Sequence, residues 1–204
     1  MAFELTILGS NAALPTSEKF STAQVLNANE RFFLIDCAEG TQIQLRKFRL
    51  RLSKLNHAFI SHVHGDHFLG IFGLIATFNL LGRKAPFHLF APTALQEMLN
   101  IHWKHAGPPD FPVHFHALAP GASGLLWQDK RVEVYTFPVT HRIPTHGFLF
   151  KEKLQERNIK KSAVADYQLG IKVIKQIKQG KALLRNGKAQ PLSRFSVPPM
   201  RPRT

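Results

Sequence analysis

The feature that most constrains this chain of 204 residues is a short run of histidines and an aspartate, followed by an apolar stretch. Within six positions the run holds four side chains that can bind a metal: His62, His64, Asp66 and His67. Buried imidazoles and carboxylates are costly unless they are paired or bound to a metal, so this run cannot be an ordinary core segment. The spacing H-x-H-x-D-H therefore indicates one side of a binuclear metal site.

The local geometry of the run supports this interpretation. A short apolar strand over residues 58–60 enters it, and residues two apart on a strand point the same way, so His62 and His64 would face one position. A turn at Gly65 would direct the next two ligands towards a second position close by. Imidazole and carboxylate ligands without thiolate favour zinc, with manganese or iron as alternatives.

Charge and composition narrow the class of partner. The chain has 27 lysine and arginine residues against 13 aspartate and glutamate residues, which gives a net charge of +14. Such a surplus favours nucleic acid first and an anionic membrane second, although a merely basic protein would have the same charge. The one cysteine, Cys37, excludes a disulfide framework and a thiolate metal site. The N-terminus has strand patterning rather than a signal peptide, and no segment is apolar enough for a membrane span, so we expect a cytoplasmic protein without a membrane partner.

Periodicity predicts alternating strands and helices in the first part of the chain. Strands are expected at residues 3–8, 24–26, 31–36, 58–60, 87–90, 113–118, 131–137 and 145–150, and helices at 39–49, 68–81 and 92–103. This mixture predicts an α/β or α+β fold with mixed sheets. The chain then becomes rich in Lys and Arg, and its Pro-rich end should be extended or disordered. We therefore expect a core over residues 1–150, a basic arm over 151–187 and an extended tail over 188–204.

Several segments together resemble one known family. The histidine run and the apolar residues 68–74 resemble the signature of the metallo-β-lactamase superfamily. Residues 8–16 (LGSNAALPT), 34–42 (LIDCAEGTQ) and 137–148 (FPVTHRIPTHGF) resemble, in order, three further motifs of its ribonuclease Z family. Ala38 stands where that family most often has glycine. The histidine run alone would indicate only the superfamily.

The resemblance implies an αββα sandwich and a zinc-dependent endoribonuclease that removes the 3′ trailer from tRNA precursors and leaves a 3′-hydroxyl. It implies two zinc ions. The ligands would be His62, His64 and His141 for the first ion, and Asp66 and His67 for the second. Asp66 would also orient or deprotonate the attacking water. Asp36 would steady a ligand histidine from behind, although a strand-end turn is an equally good explanation of this residue.

The resemblance also implies a homodimer that grips precursor tRNA with a projecting arm. The basic arm over residues 151–187 occupies the place of that arm in the family. The residues of this arm that we expect to contact RNA phosphates are Lys151, Lys153, Arg157, Lys160 and Lys161.

Two ligands of the family's site, a bridging aspartate and a last histidine, have no candidate in this sequence. There is no histidine after His146, and the acidic residues beyond residue 150 are Glu152, Glu156 and Asp166, all within the basic arm. We therefore expect an incomplete second half of the sandwich, a first zinc position that is filled more than the second, and impaired activity. The alternatives are a catalytically inactive tRNA-binding fragment, or another hydrolase of this fold that acts on a small ester.

Overall fold

The computed structural model of the chain describes residues 2–185 and 188–204. The chain forms two compact units. The first comprises Met1–Trp127 and Val134–Phe150, and the second comprises Gln128–Glu133 and Lys151–Thr204. In the described ranges no helix combines the length and the apolar character needed to cross a lipid bilayer.

A six-stranded sheet forms the centre of the first unit, with its strands in the order β1 to β6. The strands are β1 (Phe3–Gly9), β2 (Ala23–Ala28), β3 (Arg31–Cys37), β4 (Leu55–Phe59), β5 (Phe87–Pro92) and β6 (Val113–Leu118). Strands β1 to β3 pair antiparallel, and β3 to β6 pair parallel. Because parallel neighbours need crossover connections, helices separate them in the chain. These helices are α1 (Thr41–Lys47), α2 (Gly65–Phe68), α3 (Gly70–Leu80) and α4 (Thr93–Ala106).

One face of this sheet packs on the helices. Leu34 and Leu89 from the strands join Leu45, Ile71 and Leu95 from the helices in a single buried apolar cluster. The sequence predicts one helix over residues 68–81, whereas the structure has a single-turn α2 before α3. Phe68 and Ile71, directly after the histidine run, are part of this buried cluster, so the packing of the helices holds the end of the run in place.

The other face of the six-stranded sheet is aromatic and packs on a second sheet. That sheet contains β7 (Gly124–Gln128), β8 (Val132–Val139) and β9 (Thr145–Glu152), in this order. Phe59 of β4 meets Phe150 of β9 edge to face at 5.4 Å, and Phe33 meets Trp127 at the same separation. Strand β7 was absent from the sequence-based prediction. The layers are therefore helix, sheet and sheet, which is the first three-quarters of the expected sandwich.

The second unit contains short elements around its own small core. They are β10 (Asn158–Ile159), α5 (Lys161–Asp166), α6 (Ile171–Lys178), β11 (Leu183–Arg185), β12 (Lys188–Gln190) and β13 (Ser196–Val197). Ala163, Ile177 and Phe195 are buried together, and β10 pairs with β13. The predicted division at residue 188 therefore differs from the structure, because Phe195 of the expected tail completes the core of the arm.

The end of the chain is held by an ion pair within the second unit. The guanidinium of Arg203 donates to both carboxylate oxygens of Glu152, at 2.7 and 2.8 Å. The backbone N–H of Arg203 donates to the same carboxylate at 3.1 Å. The residues after Val197 have no regular secondary structure, and this ion pair anchors Arg203 near the end of the described chain.

Candidate metal centre

The histidine run lies at the carboxyl end of β4, where the chain turns from the sheet into α2. His62 and His64 are on the connecting loop, and Asp66 and His67 are on α2. His141 lies in the turn between β8 and β9. In open α/β sheets, ligands generally bind beyond the carboxyl ends of parallel strands, which is where these side chains meet.

Three imidazoles converge on one point. One nitrogen from each of His62, His64 and His141 lies within 4.8 Å of the others. Nδ1 of His64 is 3.1 Å from Nε2 of His62 and 3.3 Å from Nε2 of His141. Tetrahedral zinc with ligands at about 2.0–2.1 Å holds neighbouring nitrogens roughly 3.3 Å apart. The trio therefore fits a zinc ion. Among the described residues, no other three His, Cys, Asp or Glu side chains bring their ligand atoms this close together.

The second predicted pair lies beside the trio. Oδ2 of Asp66 is 3.5 Å from Nε2 of His67, and the ring of His67 is 4.0 Å from that of His62 between centroids. The backbone N–H of Ala13, in the loop after β1, donates to Oδ2 of Asp66 at 3.0 Å. The sequence thus brings all five predicted metal ligands together, and the first loop orients one of them.

Asp36, at the end of β3, lies behind the ligands. Its Oδ2 accepts a hydrogen bond from Nδ1 of His67 at 2.7 Å and one from Oγ of Ser61 at 3.0 Å. Its Oδ1 accepts from the backbone N–H of Ser61 at 2.8 Å. Carboxylates in this arrangement commonly fix the tautomer and orientation of a metal-binding histidine. The contacts agree with the supporting role expected of Asp36.

The pKa values of His62 and His67 are shifted in opposite directions. Burial, and after it the neighbouring His67, lower the pKa of His62 to about 4. Burial also acts to lower the pKa of His67, but the hydrogen bond and charge of Asp36, together with the charge of Asp66, raise it above its usual value. His62 is therefore neutral at physiological pH, as a metal ligand must be.

Two contributors to the centre were not predicted. Ser61 precedes the run and contacts both carboxylate oxygens of Asp36 and Nδ1 of His62, and its position directly before His62 is the only signal in the sequence. The amide of Ala13 carries no side-chain signal. The N–H of Ala13 donates to Asp66 while Ala13 has a φ of 59°. Alanine rarely adopts this left-handed conformation, so the sequence does not predict it.

The predicted phosphate-binding residues of the arm divide into two kinds. Lys153 pairs with Glu133 at 3.6 Å, Arg157 donates to Oγ of Ser196 at 2.8 Å, and Lys160 donates to the carbonyl of Ser193 at 2.7 Å. These three use their charged groups in contacts within the second unit. Lys151 and Lys161 are exposed and have no such contact in the part of the chain that the structure describes.

Other histidines gather on the aromatic face of the six-stranded sheet. Pairing of β4, β5 and β6 aligns His57 with His88 and His88 with His114. Nδ1 of His88 lies 3.1 Å from Nε2 of His116. The sequence interprets each of them as an isolated histidine, because cross-strand register is not visible locally.

Comparisons with known proteins agree with this geometry. Residues 3–108, just over half of the chain, match a family model described as Anti-Pycsar protein Apyc1, so this part belongs to the same wider family of domains. Ribonuclease Z of Bacteroides thetaiotaomicron is 45% identical over 182 residues, which are 87% of this chain and 57% of that protein. Ribonuclease Z of Parabacteroides distasonis is 36% identical over 98% of this chain and 67% of its own length. The chain thus spans between half and two thirds of the length of these curated relatives.

Solved structures point the same way. The short form of human tRNase Z superposes with a TM-score of 0.67 at 33% identity, covering 72% of this chain and 64% of its own. The metallo-β-lactamase-fold protein YhfI of Bacillus subtilis superposes with a TM-score of 0.56 at 14% identity, over 79% of this chain and 66% of its own, which supports the fold alone. These matches confirm the predicted fold class. The chain belongs to the ribonuclease Z family, within the metallo-β-lactamase fold.

Proposed function

We propose that this chain supplies the metal-binding part of a zinc-dependent endoribonuclease that removes the 3′ trailer from tRNA precursors and leaves a 3′-hydroxyl. The observation that carries the proposal is the convergence of His62, His64 and His141, at zinc-like separations, beside the carboxylate of Asp66. The names of the ribonuclease Z relatives supply the substrate class.

The described residues support two metal positions of unequal strength. His62, His64 and His141 would hold the first ion, and three protein ligands are what catalytic zinc sites commonly have. Asp66 and His67 are the described residues available to the second, which is fewer than zinc usually requires. We therefore expect this chain to bind one zinc ion more tightly than the second.

The residues around the centre have distinct tasks in a phosphodiester hydrolysis. A zinc ion, when bound, lowers the pKa of water and neutralises charge on phosphate oxygens. Asp66 would orient the attacking water and accept its proton, and the N–H of Ala13 fixes one of its oxygens for this task. Asp36 would hold His67 in the tautomer whose Nε2 is free.

Substrate attraction would come from exposed cations of the second unit. Lys151, Lys161, Lys172 and Lys175 are exposed, and the whole chain carries a net charge of +14. Folded RNA is recognised mostly through its shape and backbone, so salt-sensitive phosphate contacts suit this substrate.

We also propose a homodimer that acts in the cytoplasm. Helices α3 and α4 expose large apolar side chains, with Leu80 88% and Ile101 64% accessible, and a second subunit would cover such surface. Sedimentation of the purified chain at several concentrations would test the dimer, and a monomer throughout would contradict it.

The test uses a tRNA precursor with a labelled 3′ trailer and two proteins. One is this chain, and the other continues it with the C-terminal residues of the Bacteroides thetaiotaomicron relative. We expect the longer protein to release the trailer in one piece in a zinc-dependent reaction, and this chain to react more slowly. His64→Ala in the longer protein should slow release at least about 100-fold, because it removes a ligand, whereas the exposed His105→Ala should not.

Other outcomes would favour the alternatives. Binding of the precursor without cleavage by either protein would indicate a tRNA-binding protein that is not an enzyme. Zinc-dependent hydrolysis of a small phosphate ester by the longer protein, with no release of the trailer, would indicate another hydrolase of this fold. Two equally tight zinc ions on this chain alone would contradict the proposed inequality of the two positions.

A further inference from the structure

Ser61, the residue before the histidine run, has every polar group engaged within the metal centre or directly behind it. Its N–H donates to Oδ1 of Asp36 at 2.8 Å, and its Oγ lies 3.0 Å from Oδ2 of the same carboxylate. The same Oγ is 2.9 Å from Nδ1 of His62 and 3.5 Å from Nδ1 of His67. Its carbonyl accepts the backbone N–H of His146 at 3.0 Å. The serine hydroxyl is therefore the point at which His62, His67 and the carboxylate of Asp36 meet.

Elementary donor and acceptor rules fix the direction of these hydrogen bonds. An ionised carboxylate only accepts, so the Ser61 hydroxyl donates its proton to Asp36. Its lone pairs are then available to accept a proton from Nδ1 of His62. Nδ1 of His67 donates to the same Oδ2 of Asp36 at 2.7 Å. Both imidazoles consequently carry a proton on Nδ1, and the neutral form of each has an unprotonated Nε2.

The free nitrogen is the one that faces the centre. Nε2 of His62 is the atom that lies 3.1 Å from the ring of His64, in the converging trio. The opposite tautomer would direct an N–H at the metal position and leave Nδ1 as an unprotonated atom facing the serine oxygen. His62 is only 5% accessible, so water has little opportunity to replace the serine.

We propose that Ser61 is a positioning residue that sets the tautomer and ring orientation of His62 and, through the shared Oδ2 of Asp36, couples it to His67. His62 belongs to the first proposed metal position and His67 to the second. One hydroxyl thus links the two positions through a single hydrogen-bonded unit. The inference rests on the proposed metal centre, and it adds a residue that supports the ligands without touching the metal.

The first experiment measures zinc affinity of the whole chain by competition with a chromophoric chelator. Removal of such a supporting group typically costs about 10–100-fold in metal affinity, and we expect Ser61→Ala to fall in this range. Ser61→Thr keeps the hydroxyl and should restore most of the affinity. Ser53→Ala, at an exposed serine of the same unit, is the matched control and should behave as the wild type.

The second experiment is independent of metal. Nitrogen NMR of the histidine rings in the metal-free chain should find His62 protonated on Nδ1 in the wild type and in Ser61→Thr, and a mixture of tautomers in Ser61→Ala. A wild type that binds no zinc would defeat the proposed centre, while this spectrum would still decide the role of Ser61. An unchanged His62 tautomer in Ser61→Ala overturns the inference.

The coupling to Asp36 has its own test. If Ser61 acts with Asp36, the affinity loss in the double variant Ser61→Ala, Asp36→Asn should be smaller than the combined losses of the two single variants. Fully additive losses would contradict the shared unit. Should Ser61→Ala fail to fold, the comparison of Ser61→Thr with Ser61→Cys in the NMR experiment replaces it, since a thiol is a weaker partner than a hydroxyl.

Discussion

At the scale of single residues, Asp36 combines an uncommon backbone conformation with an unusual number of contacts. Its φ is 55°, in the left-handed region that non-glycine residues rarely adopt and that Asn and Asp tolerate best. Its carboxylate accepts hydrogen bonds from Ser61 and His67 while the residue is 5% accessible. The conformation at the end of β3 thus turns a carboxylate towards the ligands.

Two substitutions separate the conformation of Asp36 from its charge. Asp36→Ala should lower the free energy of unfolding by about 2–4 kcal/mol, because it loses the hydrogen bonds and disfavours the left-handed backbone. Asp36→Asn should cost less, since asparagine keeps the shape and tolerates this φ. Urea unfolding of the metal-free chain measures both. Equal losses would mean that the backbone conformation contributes nothing.

At the scale of elements, helix α3 is placed by a close backbone contact. A Cβ on Gly70 would lie 1.9 Å from the carbonyl oxygen of Ala38, whereas one on Gly73 would meet the side-chain oxygen of Gln42 at 2.8 Å. A backbone carbonyl cannot move aside cheaply, but the end of a glutamine side chain can. A larger residue is therefore excluded at Gly70 by the backbone, whereas at Gly73 it would only displace a side chain.

The glycine pair gives a matched comparison. Gly70→Ala should destabilise the chain by about 1–3 kcal/mol through the clash with Ala38. Gly73→Ala should be nearly neutral, because the gain in helix propensity, about 0.5–1 kcal/mol, offsets the displacement of Gln42. Thermal unfolding of the two variants checks this order, and the reverse order would refute the proposed close packing of α3.

Helix α6 carries the exposed lysines that the proposed substrate needs. Lys172 and Lys175 lie one turn apart and are exposed. Replacing both lysines with alanine should weaken binding of precursor tRNA. The slope of log affinity against log salt concentration should become shallower by about one for each lysine removed. Filter binding at several salt concentrations measures this slope. The charge-matched control is Lys84→Ala with Lys104→Ala in the first unit, and an equal effect there would argue against a role of α6.

At the scale of the whole molecule, the histidines of the aromatic face should make stability depend on pH. Burial, and then the neighbouring histidines, lower the pKa values of His88 and His116, with Arg83 adding to the effect on His88. An unfolded histidine has a pKa of about 6.5. Above that pH both states are neutral. As the pH falls through it, the unfolded chain binds protons that the folded chain does not, so stability is lost on acidification.

Replacement of these rings tests the argument. His88→Phe with His116→Phe keeps aromatic rings on this face, where His116 already stacks on Phe90 at 4.2 Å. The double variant should lose less stability than the wild type between about pH 7 and 5, the interval that begins at the unfolded pKa. Urea unfolding across this range measures the difference. His105→Phe, at an exposed position on α4, should keep the wild-type dependence.

Much of this molecule could be predicted from local sequence signals, and the remainder depends on distant pairing. The strand predicted at residues 3–8 is found as β1, and residues 113–118 form β6 as predicted. The five proposed ligands can be predicted because four of them lie in one short run and the fifth lies in a motif that resembles a family. The histidine group around His88 was missed because parallel pairing aligns strands whose sequences are far apart. Strand β7 is not predicted because its five residues, GLLWQ, are few and do not alternate between apolar and polar.

The convergence of His64 and His141 has a mechanical consequence. The two rings are separated by 77 positions in the chain, and their nitrogens are 3.3 Å apart. An ion held by both would act as a reversible cross-link between the loop after β4 and the β8–β9 hairpin. Zinc at about 1,000 times its dissociation constant would then add roughly 4 kcal/mol to the stability of the fold. The melting temperature should rise with zinc, fall with a chelator, and respond little in His141→Ala, so that metal supply would govern how long this polypeptide survives proteolysis.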